Sequence, residues 1–137
     1  MSSEAAIHAH WTNDPALTAL LPAERFVTGL GQSELAMPYA TLTRESTRPK
    51  LRTSDRTIDE SEFRFDIWSI NLDEAKQVAA AVSARFDRRS FATDGSTDDC
   101  TVIRMRLTRY EEQQEPDNSI WRVTLGFVAI TARAIGA

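Results

Sequence analysis

The chain has 137 residues, 42% hydrophobic and 26% charged, which fits one ordinary globular domain with its own core. A net charge of −4 and a pI near 5.2 argue against general binding to nucleic acid or to anionic membranes, although a local basic patch escapes that argument. A single cysteine, Cys100, excludes an internal disulfide, and no apolar run approaches the roughly 20 residues of a membrane helix. MSSEAAIHAHW lacks the basic-then-apolar order of a signal peptide, so a cytoplasmic product is expected.

Residues 3–21 have helical character, with Ile7, Trp11, Leu17, Leu20 and Leu21 as the apolar positions. Asp14-Pro15 pairs a capping side chain with proline at a first helical position, which predicts an interruption there. Pro22 ends the segment. Residues 25–30 form a short strand candidate, weakened by Gly29 and ended by Gly31. After a polar loop, Pro38 opens a clearer strand, Tyr39-Ala40-Thr41-Leu42-Thr43.

Residues 44–56, RESTRPKLRTSDR, have no apolar period and read as a long hairpin tip or loop. Strand pattern resumes near Ile58. In Phe63-Arg64-Phe65-Asp66-Ile67, apolar and charged residues alternate as a half-buried strand requires. A helix follows over 72–87 with Asn71 as its cap and Glu74 three residues on, the spacing of a capping box. Ala75, Val78, Ala79, Val82 and Phe86 fall along one face. Asp73 and Glu74 in the first turn and Arg85, Arg88 and Arg89 near the end match the helix dipole.

Residues 93–97 are turn chemistry, and two long strands close the chain. In one, Ile103, Met105 and Leu107 alternate with Arg104, Arg106 and Thr108. In the other, Trp121, Val123, Leu125 and Phe127 alternate with Arg122, Thr124 and Gly126. The predicted fold is α+β: a largely antiparallel sheet of four to five strands, two main helices on one face, in one domain over 1–137.

Catalytic chemistry is hard to assemble from these residues. His8 and His10, two apart on a helix, point to different sides and form no i, i+4 metal pair. Cys100 follows Asp98 and Asp99, whose charges raise a thiol pKa, so a structural cysteine is expected. Asp59, Glu60 and Glu62 sit on a strand approach; Glu111, Glu112, Glu115 and Asp117 sit on a turn, where carboxylates stay solvated. There is no phosphate loop, nucleophile elbow or zinc spacing, and Gly29-Leu30-Gly31 is too short a signal. No catalytic, cofactor-binding or metal residue is assigned, and a non-enzyme is expected.

The basic segment stands apart. Arg44, Arg48, Lys50, Arg52 and Arg56 less Glu45 and Asp55 give +3, leaving about −7 for the rest of the chain. The plain reading is a solvated loop; the functional one is a docking arm for an acidic surface. No aromatic residue interleaves with the charges, which favours protein contact over base stacking.

Three places carry a resemblance: Pro38-Tyr39-Ala40-Thr41-Leu42, the run FRFDIWSINLDEAKQVAAAVSARFDRRSF, and residues 109–115 leading through a turn to Trp121-Arg122-Val123-Thr124-Leu125-Gly126-Phe127. Over residues 11–133 the chain resembles the small tail-completion proteins of tailed bacteriophages, prophages and gene-transfer agents, related in fold to tail terminators. The resemblance implies a virion structural role as a ring subunit, typically hexameric, that caps the tail tube. Its implied partners are its own copies, the tail-tube protein and the head-tail connector, with no membrane, cofactor or sequence-specific nucleic acid. Its implied location is the virion tail, or the host-cell cytoplasm before assembly. The interrupted first helix and the basic arm depart from the pattern.

A ring uses two different surfaces of each subunit, and the basic 44–56 arm and the acidic 111–117 turn are opposite in sign. The alternative is a small-molecule-binding or enzymatic α+β domain whose curved sheet encloses a pocket, with Trp68 and Trp121 as lining. Trp121 falls in an apolar alternation and is assigned to the core, and the inward candidates Ile103, Met105, Leu107, Val123 and Leu125 bring no polar group. A third class is an adaptor that uses the same fold for protein contacts.

Overall fold

The computed structural model describes residues 3–29, 36–92, 100–115 and 119–134. The predicted break divides the first helical segment into α1 (Ser3–Thr12) and α2 (Pro15–Leu20), and the Asp14 carboxylate caps α2 by accepting the Ala16 N–H at 3.1 Å. A 3-10 turn at Ala23–Arg25 leads into β1 (Phe26–Thr28). Gly29 ends β1 at φ +90, a conformation that favours glycine, and its N–H reaches Leu42 O at 2.8 Å.

β2 (Tyr39–Arg52), β3 (Arg56–Ser69), α3 (Leu72–Phe86), β4 (Phe91–Ala92), β5 (Cys100–Gln114) and β6 (Trp121–Ala134) follow. The sheet order is β1-β2-β3-β6-β5-β4, parallel at β1–β2 and antiparallel elsewhere. The α+β layout is as expected, with six strands rather than four to five. The addition is β4, whose two residues are too short to show a period. The turn predicted at 93–97 lies outside the described residues.

One face of the sheet carries the helices. Phe65 is at its centre, its ring 5.2 Å from Phe86 of α3, 5.3 Å from Phe127, 5.7 Å from Phe26 and 6.4 Å from Trp11 of α1. Ala75, Val78, Ala79, Val82 and Phe86 are the buried face of α3, as their spacing predicts. Asn71 Oδ1 accepts the Asp73 and Glu74 N–H groups at 2.9 and 3.4 Å, a cap that stabilises by about 1 kcal/mol. The expected capping box closes through an intermediary: Ser69 Oγ accepts the Asn71 N–H at 3.0 Å and donates to Glu74 at 2.7 Å.

Two expectations fail, the first at a strand irregularity and the second at a strand end. Ile103, assigned inward, is 41% exposed, because a bulge between Val102 and Arg104 inserts it as an extra residue and shifts the alternation; Met105 is buried beyond it. A second bulge, between Leu107 and Arg109, faces Gly126, where an added Cβ would sit 3.0 Å from Arg109 Cβ. Trp121, assigned to the core, is only half-buried, and the fully buried tryptophan is Trp11.

Candidate assembly surfaces

The basic segment is strand rather than loop. Arg44, Arg48, Lys50 and Arg52 stand on β2, Arg56 starts β3, and only residues 53–55 turn. Thr53 closes that turn, its N–H on Arg56 O at 2.8 Å and its Oγ1 accepting the Arg56 N–H at 3.0 Å. Apolar periodicity is missing here because residues 46–56 are exposed on both faces of the ribbon. Much of the positive charge is met within the chain. Arg48 Nε donates to Glu60 Oε2 at 2.7 Å, Lys50 Nζ lies 3.4 Å from Glu60 Oε1, and Arg44 lies 3.7 Å from Glu4 of α1. The Arg48 hydrogen bond, with Lys50 behind it, holds the Glu60 carboxyl below its usual range.

The acidic residues are also not all on a turn. Glu111 and Glu112 belong to β5, paired with Thr124 and Val123; Glu115 follows the strand, and Asp117 lies outside the described residues. Glu112 accepts the Tyr110 hydroxyl at 2.7 Å and sits 3.9 Å from Lys76 Nζ. Burial, reinforced by Glu112, pushes the Tyr110 hydroxyl up to about 12. Glu111 and Glu115 lie 3.7 and 3.6 Å from Arg109 and Arg122.

Arg56 pairs with Ala134, and Ser69 with Trp121. The hairpin tip and the Trp121 end therefore lie at opposite ends of the sheet, roughly 45 Å apart for strands of this length, while Arg48 and Glu111, level with Ile130 and Thr124 of β6, are about six residues or ~20 Å apart along it. The structure does not bring the two charged groups together within one chain.

The helix-free face is polar with apolar islands. Tyr39 stacks on Trp68 (5.9 Å, 17°), and the Arg122 guanidinium lies 5.2 Å from the same ring. Asp66 is buried on this face although the alternation suggests a solvated charge. Thr124 Oγ1 donates to it at 2.6 Å and Arg64 Nε at 2.8 Å. A groove of about 340 Å³ runs between Lys50, Glu60, Arg104 and Arg106 over Val128 and Ile130.

On the helix face, beyond the core, Ser3, Arg44, Thr47, Asp59, Ser61 and Arg133 line a cavity of about 370 Å³. Sequence reasoning missed these convergent polar groups, because residues two apart on separate strands show no motif. They satisfy one another: Thr47 and Ser61 hydroxyls are 2.9 Å apart, and Arg133 Nε donates to Asp59 at 3.2 Å. Cys100, also at this cavity, is buried. Burial is the foremost cause that raises its thiol pKa, the expected direction.

The histidines fasten α1. His8 Nε2 is 2.6 Å from Thr28 Oγ1. His10 Nε2 reaches Arg85 O at 3.1 Å while Arg85 Nε donates to His10 O at 2.9 Å, and the His10 ring stacks on Phe91 at 4.1 Å. Burial depresses both imidazoles below 6.5, and for His10 the Arg85 charge adds to the effect. The unfolded chain therefore takes up protons first on acidification, so stability present above about pH 6.5 is lost as pH falls toward the depressed values. A melting temperature that declines from pH 7.5 to 5, with a smaller decline in His10→Gln, is the expected result; equal slopes would contradict it.

Among the described residues no group of three His, Cys, Asp or Glu is placed to hold a metal, and no helix is long and apolar enough to cross a membrane. The fold superposes on a chain of the structure titled "Virion of native gene transfer agent (GTA) particle" with a TM-score of 0.77 at 19% identity, covering 96% of this chain and 95% of that one. The model of the family described as "Tail completion protein gp17" matches residues 5–132. The chain belongs to that family, and its role is structural, in a phage-type tail. A comparison with curated proteins returned no match.

Proposed function

We propose that this chain, as one domain over 1–137, is the subunit of a closed ring, six-fold in the assembled tail, that caps the tail tube and joins it to the head connector without catalysis. The family match supports the tail, and one observation carries the ring. A basic arm and an acidic strand end lie on the two outer long strands of one sheet, offset by about six residues or ~20 Å from Arg48 to Glu111, so the two groups are not brought together within one chain and could face each other between copies. In this reading Arg44, Arg48, Lys50, Arg52 and Arg56 of one subunit face Glu111, Glu112, Glu115 and Asp117 of the next.

Changing Arg48, Lys50 and Arg52 together to glutamate is expected to lower ring assembly about tenfold or more, since juxtaposed like charges cost several kcal/mol. Copy number per tail and light scattering of the isolated protein are the measurements. Arg48 and Lys50 also hold Glu60, so Glu60→Gln is the reference: it removes those ion pairs and leaves the arm basic. An unchanged ring in the triple variant would sink the reading. If rings persist but tails fail to join heads, the arm faces the tube or the connector instead.

A further inference from the structure

Two strand edges lack a partner among the described residues. β1 pairs with β2 only over Ala40, Thr41 and Leu42, so among the described residues nothing pairs with the outer side of β2 from Thr43 to Arg52. β4 pairs with Thr101 and Val102 of β5, and the segment after α3 covers the next stretch. There Arg88 N–H donates to Met105 O at 2.7 Å, Met105 N–H to Arg89 O at 3.1 Å, and Leu107 N–H to Asp87 Oδ1 at 2.8 Å. From Thr108 to Gln114 the outer side of β5 is open. Long open edges invite pairing with another chain, and proteins normally shorten or cover them.

We propose that neighbouring copies of this chain join by strand addition, the open edge of β2 in one copy pairing antiparallel with the open edge of β5 in the next. The proposal rests on the ring reading above and names its joint. Three antiparallel steps separate β2 from β5, so the two strands run in opposite directions. A second copy with its helices on the same side therefore meets β2 in antiparallel sense.

The open stretch of β2 lies toward the hairpin tip and that of β5 toward the other end. Matching them shifts each copy by about six residues, or about 20 Å, across four strands spanning about 19 Å. That offset corresponds to a strand tilt of about 45°, at the upper end of the tilts at which sheets close into barrels.

Charge selects the pair. The open β2 edge carries Arg44, Arg48, Lys50 and Arg52 against Glu45, while the β5 edge carries Glu111 and Glu112 against Arg109. Joining β2 to β2 sets base against base, and β5 to β5 sets acid against acid, so closed dimers are disfavoured and the head-to-tail joint remains. Keeping helix-side residues together and opposing unlike charges sets Arg48 opposite Glu111 and Thr47 opposite Glu112. Pro49, which has no N–H, and the β2 irregularities at Glu45 and Lys50 confine the ladder to a short stretch around residues 46–48.

The test is disulfide capture in assembled tails, in a Cys100→Ala background. Ser46→Cys with Gln113→Cys, or one step along, Thr47→Cys with Glu112→Cys, sets sulfurs on directly opposed residues, whose Cβ atoms are about 4.5–5.5 Å apart. All four positions are exposed, so both variants retain the core. Mild oxidation is expected to give a reducible ladder of covalent multimers ending at the ring size, absent from the single variants and from Ser46→Cys with Ile70→Cys. Several copies per tail without a ladder from either pair would overturn strand addition and leave the ring standing. One copy per tail would overturn the ring as well.

Discussion

Phe65→Ala is expected to cost about 3–5 kcal/mol of folding stability, enough to unfold much of the chain at 37 °C. The side chain is fully buried, with four aromatic rings around it from β1, α1, α3 and β6. Its removal leaves a void that no single neighbour fills, because those rings are held by separate elements. Urea unfolding of Phe65→Ala beside Phe65→Leu is the measurement. The leucine variant keeps most of the volume and should lose less than half as much. A loss below about 1 kcal/mol in the alanine variant would mean that the two helices are not the lid of this core.

Asp66→Ala is expected to cost about 2–3 kcal/mol, from a residue whose alternation suggests a surface charge. Its carboxylate takes hydrogen bonds from Thr124 across the β3–β6 junction and from Arg64 on its own strand. Truncation leaves the buried Thr124 hydroxyl without this acceptor, whereas Arg64 retains Glu45 at 3.4 Å. A double-mutant cycle with Thr124→Val separates the two contributions. Coupling near zero would show that Asp66 acts on Arg64 alone, and Thr124→Val by itself should be the milder change.

The contrast between these residues shows what was legible in the sequence. Phe65 could be read because a strand covered on one face writes its burial as a period of two, and α3 because its cap, dipole charges and apolar stripe agree. Asp66 could not, because its burial depends on Thr124, 58 positions away, and on the cover of Arg64. Ile103 misled because it is itself the extra residue of a bulge, which drops it from the inward alternation that Met105 and Leu107 keep. The outer halves of β2 and β5 read as loop and turn because strands exposed on both faces have no apolar residues to repeat. Opposite charge on the 44–56 and 111–117 segments was legible, but their separation along the sheet was not. It follows from the order β2-β3-β6-β5, which local pattern does not encode.

Helices α1, α2 and α3 cover one end of the sheet, while among the described residues the outer half of β2 stays exposed with only β3 beside it; β3 itself remains paired with β6 as far as Arg56–Ala134. The covered end is fixed in curvature by side chains that interlock from two layers. The outer half of β2 is held by β3 on one side alone, and its coiling can follow whatever surface it meets. The chain thus divides its mechanics: a stiff root that holds one shape, and a compliant margin whose bend can absorb a mismatch in curvature where the proposed ring meets its neighbour.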